Sequence, residues 1–310
     1  MKLRDWVRMI GYGLEFLIVW KKNGKVKFLN LWWFWRRNES MIILCKEVLE
    51  KSEKQNIPVV LINTGDKPLN RYFASNIFSF SSADWYYDKI IPDFIYDSWQ
   101  ECGIPSFEQV SEEIMNAWKI NPLVDKIWWI WNYNTHPSRK VLADIWREYP
   151  ESLDVYNSSQ KGVKWMSLEE LVKTYWYLID VEGNGYSWRL KLLLFSWRPV
   201  FVQERLWKDF ALLRAKPNKH YVPVKNDFSD LIEKFREVKG NKALYEWLCK
   251  NSKKFAEDNL SKDAALLYLR DMFENLEDDS FIIIKIIILS VIKFSKRFYN
   301  GLRLFLFKKI

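Results

Sequence analysis

Three short segments of this 310-residue chain carry residue types that can do chemistry on an anionic substrate. In EGNGYSWRL, the acidic, glycine-rich turn Glu182–Gly185 runs directly into Ser187 and Arg189. If a helix opens at Ser187, this corner offers unpaired backbone N–H groups, a capping hydroxyl and a guanidinium, a combination suited to a phosphate or diphosphate. Gly183 and Gly185 would let a ligand approach the backbone closely. An ordinary strand, turn and helix with a surface arginine has the same pattern. Asp66, in NTGDKPL, stands just beyond a predicted strand end, where open α/β sheets gather reactive side chains, although a surface turn aspartate reads identically. Arg139, in THPSR, lies near the start of residues 135–147, a segment that reads as a loop entering a helix.

Other chemistries are poorly supplied. Two histidines, His136 and His220, cannot build a histidine-rich metal centre. Cys45, Cys102 and Cys249 are widely separated and form no CxxC pair, which points to a reducing compartment and ordinary buried thiols. The net charge of +9 is concentrated at the C-terminus, where residues 281–310 contain seven Lys and Arg and no acid, leaving +2 for the preceding 280 residues. No nucleic-acid recognition signature accompanies that charge, and nucleic acid is not an expected partner.

The elements that must position these residues alternate between strand and helix. Residues 25–36 read as an aromatic strand, 41–54 as a helix capped by Ser40, and 57–62 as a buried strand. Further strands are predicted at 76–80, 126–131, 175–181, 199–203 and 220–224, with helices at 107–118, 186–195 and 228–238, and Ser106 and Ser167 as caps. Met1–Trp20 lacks the clean apolar run and cleavage site of a secretory signal and reads as folded or surface-associated. A polar stretch between about residues 147 and 167 suggests a boundary. The expected organisation is an N-terminal lobe over 1–155, a C-terminal nucleotide-binding lobe over 156–280 and a tail over 281–310, with the two α/β halves facing a cleft.

That tail begins FIIIKIIILSVIKFSKR, and Lys285 interrupts the apolar run too early for a membrane span. On a helix, Lys285, Ser290, Lys293, Lys296 and Arg297 fall within an arc of about 140°. This suits either a basic amphipathic helix whose lysines meet anionic headgroups, or a helix packed on the body with solvated lysines.

The segments EGNGYSWRL, HYVPVKNDFSDL and FAEDNL, in that order and spacing, resemble glycosyltransferase family 90. Weaker similarity extends back through WIWNYNTHPSR, DKIIPDF and NTGDKP. The family includes Rumi-type protein O-glucosyltransferases, fungal capsule-associated proteins and bacterial lipopolysaccharide-modifying LpsA-like transferases. The resemblance implies a GT-B-like fold of two Rossmann-like lobes and an inverting enzyme that takes a UDP-sugar as co-substrate, with no bound cofactor and no metal requirement. It further implies Asp66 as catalytic base and Arg139 and Arg189 as diphosphate contacts. His220 either donates a hydrogen bond in the cleft or stabilises the HYVPV strand. Trp131, Trp197 and Trp176 depart from the family pattern; the first two stand where a small residue, often glycine, is usual.

The resulting expectation is transfer of a hexose, glucose or galactose, from a UDP-sugar to lipopolysaccharide or another surface glycan, at the cytoplasmic side of a membrane. A non-catalytic, membrane-associated nucleotide- or glycan-binding protein on the same shell is the alternative, motivated by the intrusive tryptophans.

Overall fold

A computed structural model describes residues 15–31, 36–163 and 166–307, with side chains except at 36, 131 and 296–307. The reading of Met1–Trp20 therefore lies largely outside the described residues, as do residues 32–35 of the expected strand and the Trp131 indole. The chain divides into two compact units, Met1–Asp97 with Leu266–Ile310, and Ser98–Ala265. Each contains a five-stranded sheet, giving a mixed α/β protein with two sheet-bearing lobes.

The first unit holds β1 (Phe16–Lys22), β2 (Lys25–Asn30), β3 (Ile57–Asn63), β4 (Ile77–Ser79) and β5 (Lys89–Ile90), in the spatial order β2-β1-β3-β4-β5. Strand β1 runs antiparallel to β2 and β3, whereas β3, β4 and β5 are parallel. The β1–β2 hairpin turns at Asn23 and Gly24, both left-handed (φ 50° and 72°), as a two-residue mirror-image turn requires. The following helix spans Arg36–Lys51, so Ser40 lies inside it rather than at its cap.

A helix over Ile282–Phe307 completes this unit. Its stripe of Ile282, Ile286 and Leu289 is buried with Phe16, Leu61 and Ile77, as helical periodicity dictates. The distinct tail expected from the sequence is thus corrected, because these side chains are part of the core. The lysines also differ from expectation. Lys285 pairs with Asp279 at 2.8 Å and Lys293 with Glu15 at 2.9 Å, while Phe281, Ile284, Ile288 and Val291 are the exposed face. Among the described residues, no helix is long and apolar enough to cross a membrane.

The second unit contains β6 (Val124–Trp131), β7 (Leu153–Asn157), β8 (Tyr175–Asp180), β9 (Val200–Gln203) and β10 (Val222–Val224). They form an all-parallel sheet in the order β10-β9-β8-β6-β7. Strand β6 is buried on both faces, which explains its unbroken IWWIW run. Ile127 and Trp129 pack into a core with Leu142, Phe235 and Leu248, while Trp128 and Ile130 alternate to the other face and are also buried. Ser106 and Ser167 cap the helices Phe107–Ala117 and Leu168–Thr174 as expected, Ser167 through a reciprocal capping box with Glu170.

This sheet moves the expected lobe boundary. Strands β6 and β7 precede residue 155 or straddle it, yet they pair with each other and β6 pairs with β8. The polar stretch at 147–167 is a connection within one unit. Strand β7, LDVYN, was hidden in it because alternating polar residues suit an edge strand as well as a linker.

Candidate functional site

In a parallel sheet of this order, the chain leaves β6 for one side and β8 for the other, so the crevice beyond their carboxyl ends is where such folds bind ligands. The structure brings the sequence-selected arginines to that point. Arg139 follows β6 by one short loop and lies in the first turn of the helix Ser138–Glu148. Its Nε donates to the Glu182 carbonyl at 3.0 Å and its Nη1 to the Asn132 carbonyl at 3.0 Å, so it bridges the segments that leave β8 and β6. Arg189 enters from the loop after β8 and donates through Nη1 to the Ile130 carbonyl at 2.9 Å.

Both guanidiniums approach the Trp129 ring, with Cζ-to-centroid distances of 5.5 Å for Arg139 and 5.9 Å for Arg189. Each residue is about 95% buried. Burial, then the neighbouring Arg189 charge, lowers Arg139 to about 9, and burial lowers Arg189 as well. The neighbouring Asp180 carboxylate opposes the lowering at both arginines, and Glu182 opposes it at Arg139, so the buried cations are offset in part within the protein. Arg189 also lines a cavity of about 50 Å³ with Trp188, Ile104 and Cys102.

Gly183 belongs to the same corner. A Cβ there would sit 3.1 Å from the Tyr186 carbonyl and 3.5 Å from Nη2 of Arg139, so its bare backbone keeps this space open. Gly185 is buried in the same bend. Ser187 requires a correction. The helix expected over 186–195 is a single turn, Leu190–Leu193, with Arg189 at its N-cap position and no side-chain cap. The Ser187 hydroxyl instead donates to Asp180, so it fixes the floor of the corner and caps no helix.

Several residues here carried no recognisable motif. Asp180 and Arg205 form an ion pair at 2.6 Å with both side chains fully buried. Gln203 Oε1 accepts from the Glu182 backbone amide at 3.1 Å, and its Nε2 donates to the Asn226 carbonyl at 2.8 Å, which ties the ends of β8, β9 and β10 together. The Glu182 carboxylate lies 3.5 Å from His136 and accepts from Asn226. A run such as VFVQER signals a strand end, but nothing in it states which way Gln203 or Arg205 will point.

The remaining candidates sit elsewhere. His220 accepts the Lys216 amide at Nδ1, 3.0 Å away, and stacks on Phe255 at 4.3 Å. These contacts fit the strand-stabilising alternative. Trp197 has φ of +50°, the left-handed region that favours glycine, and stacks on Trp118 with centroids 4.6 Å apart. Lys253 lies 4.4 Å above its ring. The Trp197 indole is thereby held against Trp118 and Lys253.

Asp66 stands in the first unit, in the loop beyond the carboxyl end of β3. It is half-buried and pairs with Arg37 at 2.7 Å, while its carbonyl accepts from Ser81 at 3.1 Å. Arg37 itself lies 5.1 Å over the Phe94 ring, which restrains the guanidinium facing the carboxylate. Among the described residues, no group of three or more His, Cys, Asp or Glu is placed to hold a metal. Cys45 and Cys249 are buried thiols, Cys249 raised to about 12 by burial, whereas Cys102 is half-buried.

The sequence profile named "Glycosyl transferase family 90" matches residues 53–277, most of the chain. Protein O-glucosyltransferase 1 of Rattus norvegicus is 26% identical over 226 residues, covering 64% of this chain and 55% of the relative. Protein O-glucosyltransferase 2 of Danio rerio is 24% identical over 246 residues, covering 73% and 49% respectively. An uncharacterized protein, 179R of Invertebrate iridescent virus 6, is 29% identical over 155 residues, covering 48% of this chain and 13% of its own. The chain thus spans about half the length of the O-glucosyltransferases it matches. Among solved structures, Anabaena HepE in complex with UDP aligns with a TM-score of 0.35 and 8% identity over 53% of this chain and 45% of that one. On the extent of the profile match, which includes the Asp66, Arg139 and Arg189 segments, this chain belongs to glycosyltransferase family 90.

Proposed function

We propose that this chain is an inverting glycosyltransferase of GT-B type that moves a hexose from a UDP-sugar to an acceptor hydroxyl. The observation that carries the reading is the convergence of Arg139 and Arg189 on Trp129, beside the Gly183 bend, at the switch point of a parallel sheet. A guanidinium in the first turn of a helix, with a second guanidinium and a bare glycine bend beside it, suits a diphosphate, whose charge grows as the sugar leaves. Asp66 is the base: inversion by direct displacement needs one carboxylate to take the acceptor proton as the hydroxyl attacks the anomeric carbon. The bond from that carbon to the UDP oxygen breaks as the new C–O bond forms, and the proton goes to Asp66.

The O-glucosyltransferase names of the relatives favour glucose over galactose, and they add a protein hydroxyl to the surface-glycan and lipopolysaccharide acceptors the sequence suggested. The basic, apolar C-terminal helix supports a peripheral position on an anionic membrane surface at its cytoplasmic side. In that arrangement Phe281, Ile284, Ile288 and Val291 enter the interface, in place of Lys285 and Lys293, which are paired within the protein.

Purified protein incubated with UDP-glucose or UDP-galactose, alone and with truncated lipopolysaccharide cores or folded protein acceptors, tests the activity. Acceptor-stimulated UDP release with one donor is expected. UDP binding by calorimetry with neither transfer nor donor hydrolysis would instead favour the non-catalytic alternative. For the helix, liposome flotation of the Ile284→Ser/Ile288→Ser variant is expected to lose vesicle recovery; unchanged recovery would remove the membrane assignment.

A further inference from the structure

We infer that Lys293, on the C-terminal helix, is a positioning residue for the loop that carries Asp66; its catalytic meaning rests on the assignment of Asp66 as base. Lys293 lies 230 residues beyond Asn63 and outside the stretch matched by the family profile, 53–277. Its ammonium donates to Asn63 Oδ1 at 3.1 Å, pairs with Glu15 at 2.9 Å and lies 4.7 Å above the Phe16 ring. The side chain is only 14% exposed.

Asn63 is the last residue of β3, and its amide holds the loop on both sides of Asp66. Oδ1 accepts the Gly65 amide at 3.3 Å, while Nδ2 donates to the Lys67 carbonyl at 2.8 Å and to Ser79 at 3.2 Å. The orientation of that amide is shared between the Gly65 N–H, the Lys67 carbonyl and its charged neighbour, all three of which require the same way round. An ammonium has donors and no acceptor, so it must face the oxygen. The NH₂ group is thereby directed at Lys67, and a flipped amide would set donor against donor at Lys293 and acceptor against acceptor at Lys67.

Glu15 supplies the second hold. Its carbonyl accepts the Thr64 amide at 2.8 Å and the Thr64 hydroxyl at 3.0 Å. Its carboxylate oxygen would lie 2.6 Å from a Cβ at position 65, so it presses on the one residue of the loop without a side chain. Lys293 therefore contacts, through one largely buried charge, both side chains that flank the loop, Asn63 with its bonds to Gly65 and Lys67, and Glu15, whose carbonyl holds Thr64. The helix bearing it is anchored by Ile282, Ile286 and Leu289 in the core of the same unit. Ammonium-to-loop geometry is inherited from that anchorage, and a misplaced general base costs rate without loosening the donor.

The test compares wild type, Lys293→Met and Lys293→Arg as full-length chains. Hydrogen exchange at the Thr64 and Gly65 amides is expected to accelerate about tenfold or more in Lys293→Met, with the rest of the sheet unchanged and protection restored in Lys293→Arg. Wild-type exchange in Lys293→Met would overturn the brace without reference to activity. Turnover is then read as UDP release from UDP-glucose. Lys293→Met is expected to lower kcat about tenfold or more while KM for the donor stays within about twofold. Asp66→Asn is measured alongside. If Asp66→Asn abolishes release and Lys293→Met keeps full kcat, the positioning role is wrong and the base assignment stands. If Asp66→Asn releases UDP at the wild-type rate, the base assignment fails and with it the catalytic meaning of the brace, while the exchange result still decides the brace itself.

Discussion

Arg139 donates to the carbonyl of Glu182 across 3.0 Å, and with its second bond to Asn132 it straddles the two strands where the sheet reverses its order. A side chain used to join two backbone segments holds its free N–H groups in a fixed direction. That rigidity is what a diphosphate site needs, because little ordering is left to occur on binding.

The first prediction concerns that fork. Lysine at 139 keeps the charge but cannot reach Glu182 and Asn132 together and still face a ligand. Arg139→Lys is expected to weaken UDP binding by about 10- to 100-fold, as loss of a charge-assisted hydrogen bond does. Isothermal titration with UDP measures it, and affinity within twofold of wild type would exclude Arg139 from the diphosphate contacts.

Arg37 gives the second. Its 2.7 Å pair with Asp66 aims one carboxylate oxygen, and Phe94 restrains the guanidinium. Arg37→Met should reduce transfer by about tenfold to a hundredfold with little change in donor KM, since the base loses its aim and its neighbouring cation. A raised KM at constant kcat would place Arg37 in substrate binding instead.

A third prediction addresses stability. Removing Arg205 leaves Asp180 buried with the Ser187 hydroxyl as its neighbour and weakens the environment of Asp209. Arg205→Met is expected to cost about 3–5 kcal/mol in urea denaturation, because a fully buried carboxylate loses its direct ion-pair partner and keeps only the more distant Arg139 and Arg189 charges. Asp180→Asn/Arg205→Met keeps an acceptor for Ser187, removes that charge and should recover roughly half of the loss or more. A double variant no more stable than the single one would show that the pair is not the source of the cost.

His220 supplies a pH dependence. Its ring accepts the Lys216 amide at Nδ1, and burial followed by the Lys219 and Lys216 charges pulls its pKa below the ordinary 6.5. A group depressed on folding binds its proton more readily in the unfolded chain. The neutral ring's contribution is therefore present above pH 6.5 and is lost as pH falls from 6.5 toward the depressed folded value. Melting temperature followed from pH 8 to 5 should drop in wild type more than in His220→Gln; parallel curves would remove His220 as the titrating group.

Much of the architecture was legible in the chain. Clustered glycines in a glycine-poor sequence marked the Glu182–Gly185 bend, residues 126–131 read as a strand, and Ser106 and Ser167 announced their helices by capping chemistry. The hairpin at Asn23–Gly24 was not read from the sequence, although few other dipeptides accept two left-handed residues in succession. Each of these is a local constraint, satisfied by neighbours in sequence, so the sequence states it directly.

What the tertiary structure decided are the relations between distant segments. Sheet order placed Arg139 with Arg189 in one unit and moved the lobe boundary; hydrogen-bond competition turned Ser187 from a helix cap into a partner of Asp180; and packing sent Ile282, Ile286 and Leu289 inward with Lys293 onto Asn63. Periodicity names a helix's apolar stripes but cannot rank two of them when isoleucines occupy both. That choice depends on which stripe meets a complementary surface, and that surface, about two hundred residues earlier in the chain, exists only once the strands carrying Phe16, Leu61 and Ile77 have paired.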